Sequence, residues 1–291
     1  MRIVTIFCIV FLFMTTHLYS FEWPVEEKSL SASFGSNRYD SFYPSIEISA
    51  SNSPVYPTSA GEIVYYSKEG DHFSKLPSGL GNCIVIQHEG GLKTVYGHLD
   101  NVPSEPSQYQ VSPDDQIGVV GDTGYTYGRA LSLTVFDDEL KQIINPLLML
   151  SSLPDTTAPV IKDSLLVQQE EQVVLEEQNQ VSPGEWNLHT TIYDPSEHVS
   201  FFAPLAPHSV SLFINGEEEF YVNYEAIQER EGKLYLGADG SVSYAEYYLD
   251  DWKVNLGTLN LIPGRVRMEI IVQDINGNES HRLFTIDVVQ Q

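Results

Sequence analysis

The chain has 291 residues, with 40 acidic against 15 basic side chains and a formal charge of −25, which leaves room for two domains and a sizeable core. So anionic a protein, with the excess spread over both halves, excludes nucleic acid as its natural partner and offers no attraction to anionic lipid, because both need basic patches. A solvated acidic surface is the plain explanation of the charge.

The start, Met1-Arg2 followed by the apolar run Ile3 to Met14 and polar Thr15-Thr16-His17, has the charge, length and order of a secretory signal peptide spanning residues 1–20. The expected mature chain begins near Phe21 and is exported to the periplasm or cell surface, with membrane association only if the segment is retained uncleaved. Cys8 leaves with it, so Cys83 has no intramolecular disulfide partner. Beside Ile84-Val85-Ile86, that thiol reads as a small buried hydrophobe rather than a nucleophile.

From Phe34 to Leu150, short β-rich runs alternate with Gly, Pro, Asn and Ser turns and no long 3.6-residue apolar period occurs, which predicts an all-β domain over residues 21–153. Residues 154–160, opening Pro154-Asp155-Thr156-Thr157-Ala158-Pro159, read as a stiff linker. Beyond it, Trp186–Ile192, Val210–Ile214, Val266–Val272 and Phe284-Ile286-Val288 alternate as half-buried strands. Asn215-Gly216 and Asn276-Gly277 supply turns.

The motifs that carry chemistry lie in the first half. In order they are Ser33-Phe34-Gly35-Ser36-Asn37-Arg38, Tyr43-Pro44-Ser45-Ile46-Glu47-Ile48, Thr94-Val95-Tyr96-Gly97-His98-Leu99, Gly118–Gly124 and Arg129-Ala130-Leu131-Ser132-Leu133. In order and spacing they resemble the LytM/lysostaphin-type zinc metallopeptidases that cut peptidoglycan cross-links, a β-sheet fold of the duplicated hybrid motif type. The resemblance covers roughly residues 33–150. In that family the metal is held by H-x-G-x-D and H-x-H motifs, and a further histidine follows the Y-x-H-L pattern. Here Tyr43 falls at the first ligand histidine, Glu47 at the aspartate, Ala130 and Ser132 at the two histidines of H-x-H, and only His98 keeps its family identity.

Strand periodicity bears on this independently, because residues i and i+2 share a face and Ala130, Ser132 and Thr134 would project together. Alanine has no lone pair and a neutral serine hydroxyl is a poor zinc donor, whereas a catalytic zinc site wants three Cys, His or carboxylate ligands. No cofactor and no metal ligand is therefore expected, although the family would imply zinc. His98 is a possible catalytic residue, but a lone histidine does not replace the Lewis acid that activates water. The expected remnant is a binding groove formed by Tyr43, Glu47, Tyr96, His98, Tyr125, Tyr127, Ala130 and Ser132, whose aromatic faces suit a peptide or glycan.

The second half, residues 161–291, resembles an immunoglobulin- or fibronectin-like β-sandwich, a module that follows LytM-type domains elsewhere. Asp274-Ile275-Asn276-Gly277-Asn278 opens like a calcium loop, but Thr285 stands where an EF-hand needs its bidentate glutamate, so a tight turn is the expectation. Together these readings predict an exported cell-envelope pseudo-peptidase that binds peptidoglycan or regulates a separate wall hydrolase. The alternatives are an active metalloendopeptidase using Glu47, His98 and a non-family ligand, and a structural or adhesive module led by the sandwich.

Overall fold

Alternating apolar residues build nearly every element of the structure, a computed structural model that describes residues 21–69, 78–102, 109–175, 180–199 and 204–290. The expected signal peptide, residues 1–20, lies outside the described residues. The fold is nearly all-β, as the turn-rich and helix-poor pattern predicts.

Among the described residues, thirteen strands form one sheet whose centre holds Asn82–Gln87, Leu92–Asn101 and Ala130–Asp137 as antiparallel neighbours. Ile46–Ser49 also pairs with the Ala130–Asp137 strand, placing Glu47 beside Ser132. Tyr96, Leu131, Leu133 and Val135 are fully buried in the core. Cys83 is buried too and burial pushes its thiol pKa up, as expected of a packing residue.

The second half contributes two sheets. One joins Glu171–Val174, Val160–Gln168, Gly184–Tyr193 and Lys253–Leu261; the other joins Gln180–Val181, Glu279–Val288, Gly264–Gln273, Ser209–Ile214 and Glu217–Asn223. Their buried positions alternate along each strand, Trp186, Leu188 and Ile192 on the first and Met268, Ile270 and Val272 on the second, as in a β-sandwich. Asn215-Gly216 adopts positive φ at both positions, 54° and 92°, which the two-residue hairpin turn demands.

The linker marks a change of composition, but the sheet does not stop there. Gln142–Ile144 would be an exposed edge, and the distant strand Ala226–Arg230 pairs with it, followed by Lys233–Leu236 and Val242–Ser243. Asn145 adds two further cross-links, its backbone N–H donating to Glu225 O at 2.8 Å and its side-chain amide to Tyr224 O at 2.9 Å.

Behind this seam a one-turn helix, Tyr244–Tyr247, carries an aromatic cluster onto the first domain. Tyr244 and Tyr248 pack on Phe42, with ring centroids 5.5 and 5.7 Å apart. Tyr244 donates to Asn37 Oδ1 at 2.7 Å and Tyr248 to Gly35 O at 3.0 Å. At the other end of the joint, burial and the charges of Asp274 and Asp155 push the Asp194 carboxyl up to about 7.

Candidate functional site

Register alone brings three of the key positions into a row. Glu47 pairs with Ser132, and Ser132 pairs with Gly97 on its other side, so one face of the sheet presents a carboxylate, a hydroxyl and a glycine in line, with the Leu80 side chain packed over the glycine. His98 joins them because its φ of +62° and a bulge at Gly97-His98 in its own strand break the period-2 alternation there. Its Nδ1 lies 2.8 Å from Thr123 O, which can only accept, so Nδ1 carries a proton, and Nε2 faces Glu47 at 3.7 Å.

Two close backbone contacts hold that loop in place. Gly81 and Gly124 have positive φ, and a side chain on either would run into the other's loop at about 2.4 Å. Only glycine permits this approach. It lets His98 N–H donate to Leu80 O at 2.7 Å and Tyr125 N–H to Gly79 O at 2.8 Å.

The hairpin of Asn37–Arg38 and Ser41–Phe42 supplies the rest of the site. Three groups converge on one oxygen, Glu47 Oε1: Arg38 Nη1 at 2.7 Å, the donating hydroxyl of Tyr43 at 3.0 Å and His98 Nε2 at 3.7 Å. The Arg38 guanidinium also lies over the Tyr43 ring, 4.7 Å from its centroid. Burial alone would raise the Glu47 pKa, but its polar contacts with His98, Arg38 and Tyr43 outweigh burial and lower it. Tyr43 goes the other way: burial first, then the Glu47 charge, push its phenol far above the ordinary value. Ser132 Oγ, buried, completes no hydrogen bond of good geometry among the described residues, although its approach to the Tyr43 hydroxyl eases that rise.

Tested against a zinc ion, this donor set does not fit. Glu47 already has a cation and a hydroxyl on the oxygen it would offer, Tyr43 is held firmly as the neutral phenol, Ala130 has no donor and Ser132 has only a hydroxyl. Arg38 is the residue that sequence reasoning missed. The available signal was Glu47 itself, since a carboxylate carried on a core strand needs a counter-charge close in space.

The groove expectation needs correction. Tyr96 is fully buried on the opposite, core side, where its hydroxyl donates to Thr58 Oγ1 and accepts from Thr58 N–H and Thr94 Oγ1. Glu47, His98, Ala130 and Ser132 are each no more than 4% exposed, so these four positions are buried. Tyr43 is half-buried. Tyr125 and Tyr127, at 64% and 89%, are exposed, as is Tyr39 at 63% on the hairpin. The structure thus separates a closed centre from an exposed tyrosine rim. His88 is held within the sheet by Ala60 O and Thr94 Oγ1.

Residues 41–146 match Peptidase family M23, and a separate family profile matches residues 158–289. Among solved structures, Csd3 from Helicobacter pylori is similar at 23% identity and TM-score 0.37, over 46% of this chain and 34% of that one. A zinc-containing peptidase from Vibrio cholerae is similar at 23% identity and TM-score 0.37, over 46% of this chain and 41% of that one. A chain of the SpoIIQ–SpoIIIAH pore-forming complex is similar at 22% identity and TM-score 0.38, over 46% of this chain and 92% of that one. This protein therefore spans well under half the length of the first two. No curated protein matches it.

Proposed function

We propose that the Peptidase family M23 domain at residues 41–146 works without metal and without hydrolysis, in an exported cell-envelope protein, binding peptidoglycan or regulating a separate wall hydrolase. The observation that carries this reading is the Arg38 guanidinium 2.7 Å from Glu47. A carboxylate at that place in the fold is useful to a zinc ion only while it is free, and here an arginine of the same chain takes the role of the cation. The charge balance of the centre is kept and the Lewis acid that would polarise an amide and activate water is lost.

Binding then falls to the exposed rim. Tyr125 and Tyr127 offer large faces and hydroxyls with few rotatable bonds, which suits contact with a peptide or glycan strand or with another protein. The charge of −25 favours a neutral or basic partner surface.

Two measurements on the mature full chain test this. Protein dialysed against micromolar zinc is expected to keep well under one equivalent, to melt at the same temperature with and without chelator, and to leave peptidoglycan uncut. Stoichiometric zinc with a chelator-sensitive melt sinks the reading in favour of a metalloendopeptidase. Replacing Tyr125 and Tyr127 by serine is expected to weaken retention on purified peptidoglycan or on an envelope hydrolase with no change in melting temperature. Unchanged retention would move the binding role to the sandwich, as a structural or adhesive module requires.

A further inference from the structure

Three carboxylates from separate segments meet where the linker joins the sandwich. Asp155 comes from the linker, Asp194 follows the strand Gly184–Tyr193 and Asp274 follows the strand Gly264–Gln273, and one oxygen from each lies within 4.8 Å of the others. Asp194 and Asp274 are 3% and 2% exposed. The salt bridges formed among the described residues leave all three out.

Two of the three have other work. Asp274 Oδ1 accepts from the backbone N–H of Asn276 and Asn278, so the tight turn expected from the sequence is present. Asp155 Oδ1 accepts from Thr157 N–H at 2.9 Å. Asp194 differs. Its backbone is fixed by two hydrogen bonds with Leu205, at 2.8 and 2.7 Å, and its Oδ1 is buried with no hydrogen-bond partner among the described residues. A buried carboxylate oxygen left unpaired beside two further carboxylates is costly unless a proton or a cation completes it.

We infer that Asp155, Asp194 and Asp274 bind one calcium-class divalent cation, which pins the linker to the sandwich. All the donors are hard oxygens, with neither thiolate nor imidazole among them, which is the ligand chemistry of calcium and not of zinc. Oxygens on opposite sides of a calcium ion stand about 4.6–5.2 Å apart, twice the usual Ca–O length, so the observed spread fits around one ion. Asp155, Asp194 and Asn276 also line a cavity of about 360 Å³ at the joint, with room for coordinating waters beside the cluster. Nothing in it depends on the M23 centre, which lies on other strands.

The test uses the mature full chain, stripped with chelator and then titrated with calcium chloride. One equivalent by calorimetry is expected, with dissociation in the range of about 10⁻⁴ to 10⁻³ M typical of extracellular modules. At excess calcium the melting temperature should rise by about 5 °C. Asp194→Asn keeps shape and removes one charge, and should abolish the shift. Asp155→Asn, in the less buried linker, should weaken binding at least tenfold and serves if Asp194→Asn fails to fold. A wild-type melt indifferent to calcium up to about 10 mM, or an undiminished shift in a folded variant, overturns the proposal.

Discussion

At the scale of single residues, the centre is governed by one ion pair. With side-chain exposures of 14% and 5%, Arg38 and Glu47 are both largely withdrawn from water, and removing one member of such a pair leaves the other uncompensated. Arg38→Ala is expected to cost about 3 kcal/mol of unfolding free energy, measured by urea titration, and Arg38→Met together with Glu47→Leu should recover most of it. Equal losses in the single and double variants would show that packing of the Arg38 stem matters more than charge. The pair also sets a pH dependence. Since the Glu47 pKa is lower in the folded than in the unfolded chain, its stabilisation is complete above the unfolded value near ~4.3 and disappears as pH falls through the folded value. Wild type should therefore lose stability on acidification below about pH 4.3 more steeply than Glu47→Gln, a difference read from melts across pH 2 to 6. The weakness of Tyr43, Ala130 and Ser132 as zinc donors is legible from residue type alone, because donor chemistry is a property of one side chain. Arg38 and the Asp155–Asp194–Asp274 cluster were not, because pairing and convergence are properties of the fold.

At the scale of elements, the hairpin carrying Arg38 and Tyr43 is clamped from behind by the aromatic cluster around Tyr244–Tyr247. Tyr248→Phe removes the 3.0 Å hydrogen bond to Gly35 O while keeping the ring, at a cost of about 1 kcal/mol. If the clamp holds the hairpin over Glu47, amide exchange at residues 36–43 should quicken in this variant while the Gly264–Gln273 strand is unaffected. Uniform quickening in both would mean a general loss of stability and no local clamp. Strand periodicity made most elements readable, including the alternating strands of the sandwich and the Asn215-Gly216 hairpin. It failed at Tyr96, where a strict period of two puts Tyr96 and His98 on one face. The irregularity at Gly97-His98 turns only His98 towards Glu47 and leaves Tyr96 in the core, and such a bulge depends on the loop at Leu80 that it bonds to.

At the scale of the whole molecule, the linker is a boundary of composition and not of cooperativity. Pro154 to Pro159 was readable as a joint because proline and small polar residues disfavour regular structure locally. The pairing of Gln142–Ile144 with Ala226–Arg230 joins segments some eighty residues apart, and no local pattern encodes a choice of partner at that range. Ile227 is fully buried where it pairs with Ile143, and the same seam covers Phe42 with rings from the second half. Separating the halves would expose this apolar surface and an unpaired strand edge together, so each half is stabilised by the other. Urea unfolding should then follow one transition, with the same midpoint whether read by amide exchange in the Leu92–Asn101 strand or in the Gly264–Gln273 strand. Ile227→Ala, expected to cost about 3 kcal/mol as a buried large-to-small change, should lower both midpoints together. If it shifted only the second half's midpoint, or if wild type already unfolded in two steps, the seam would be a docking contact between independent domains and the clamp on Arg38 could open without unfolding anything else.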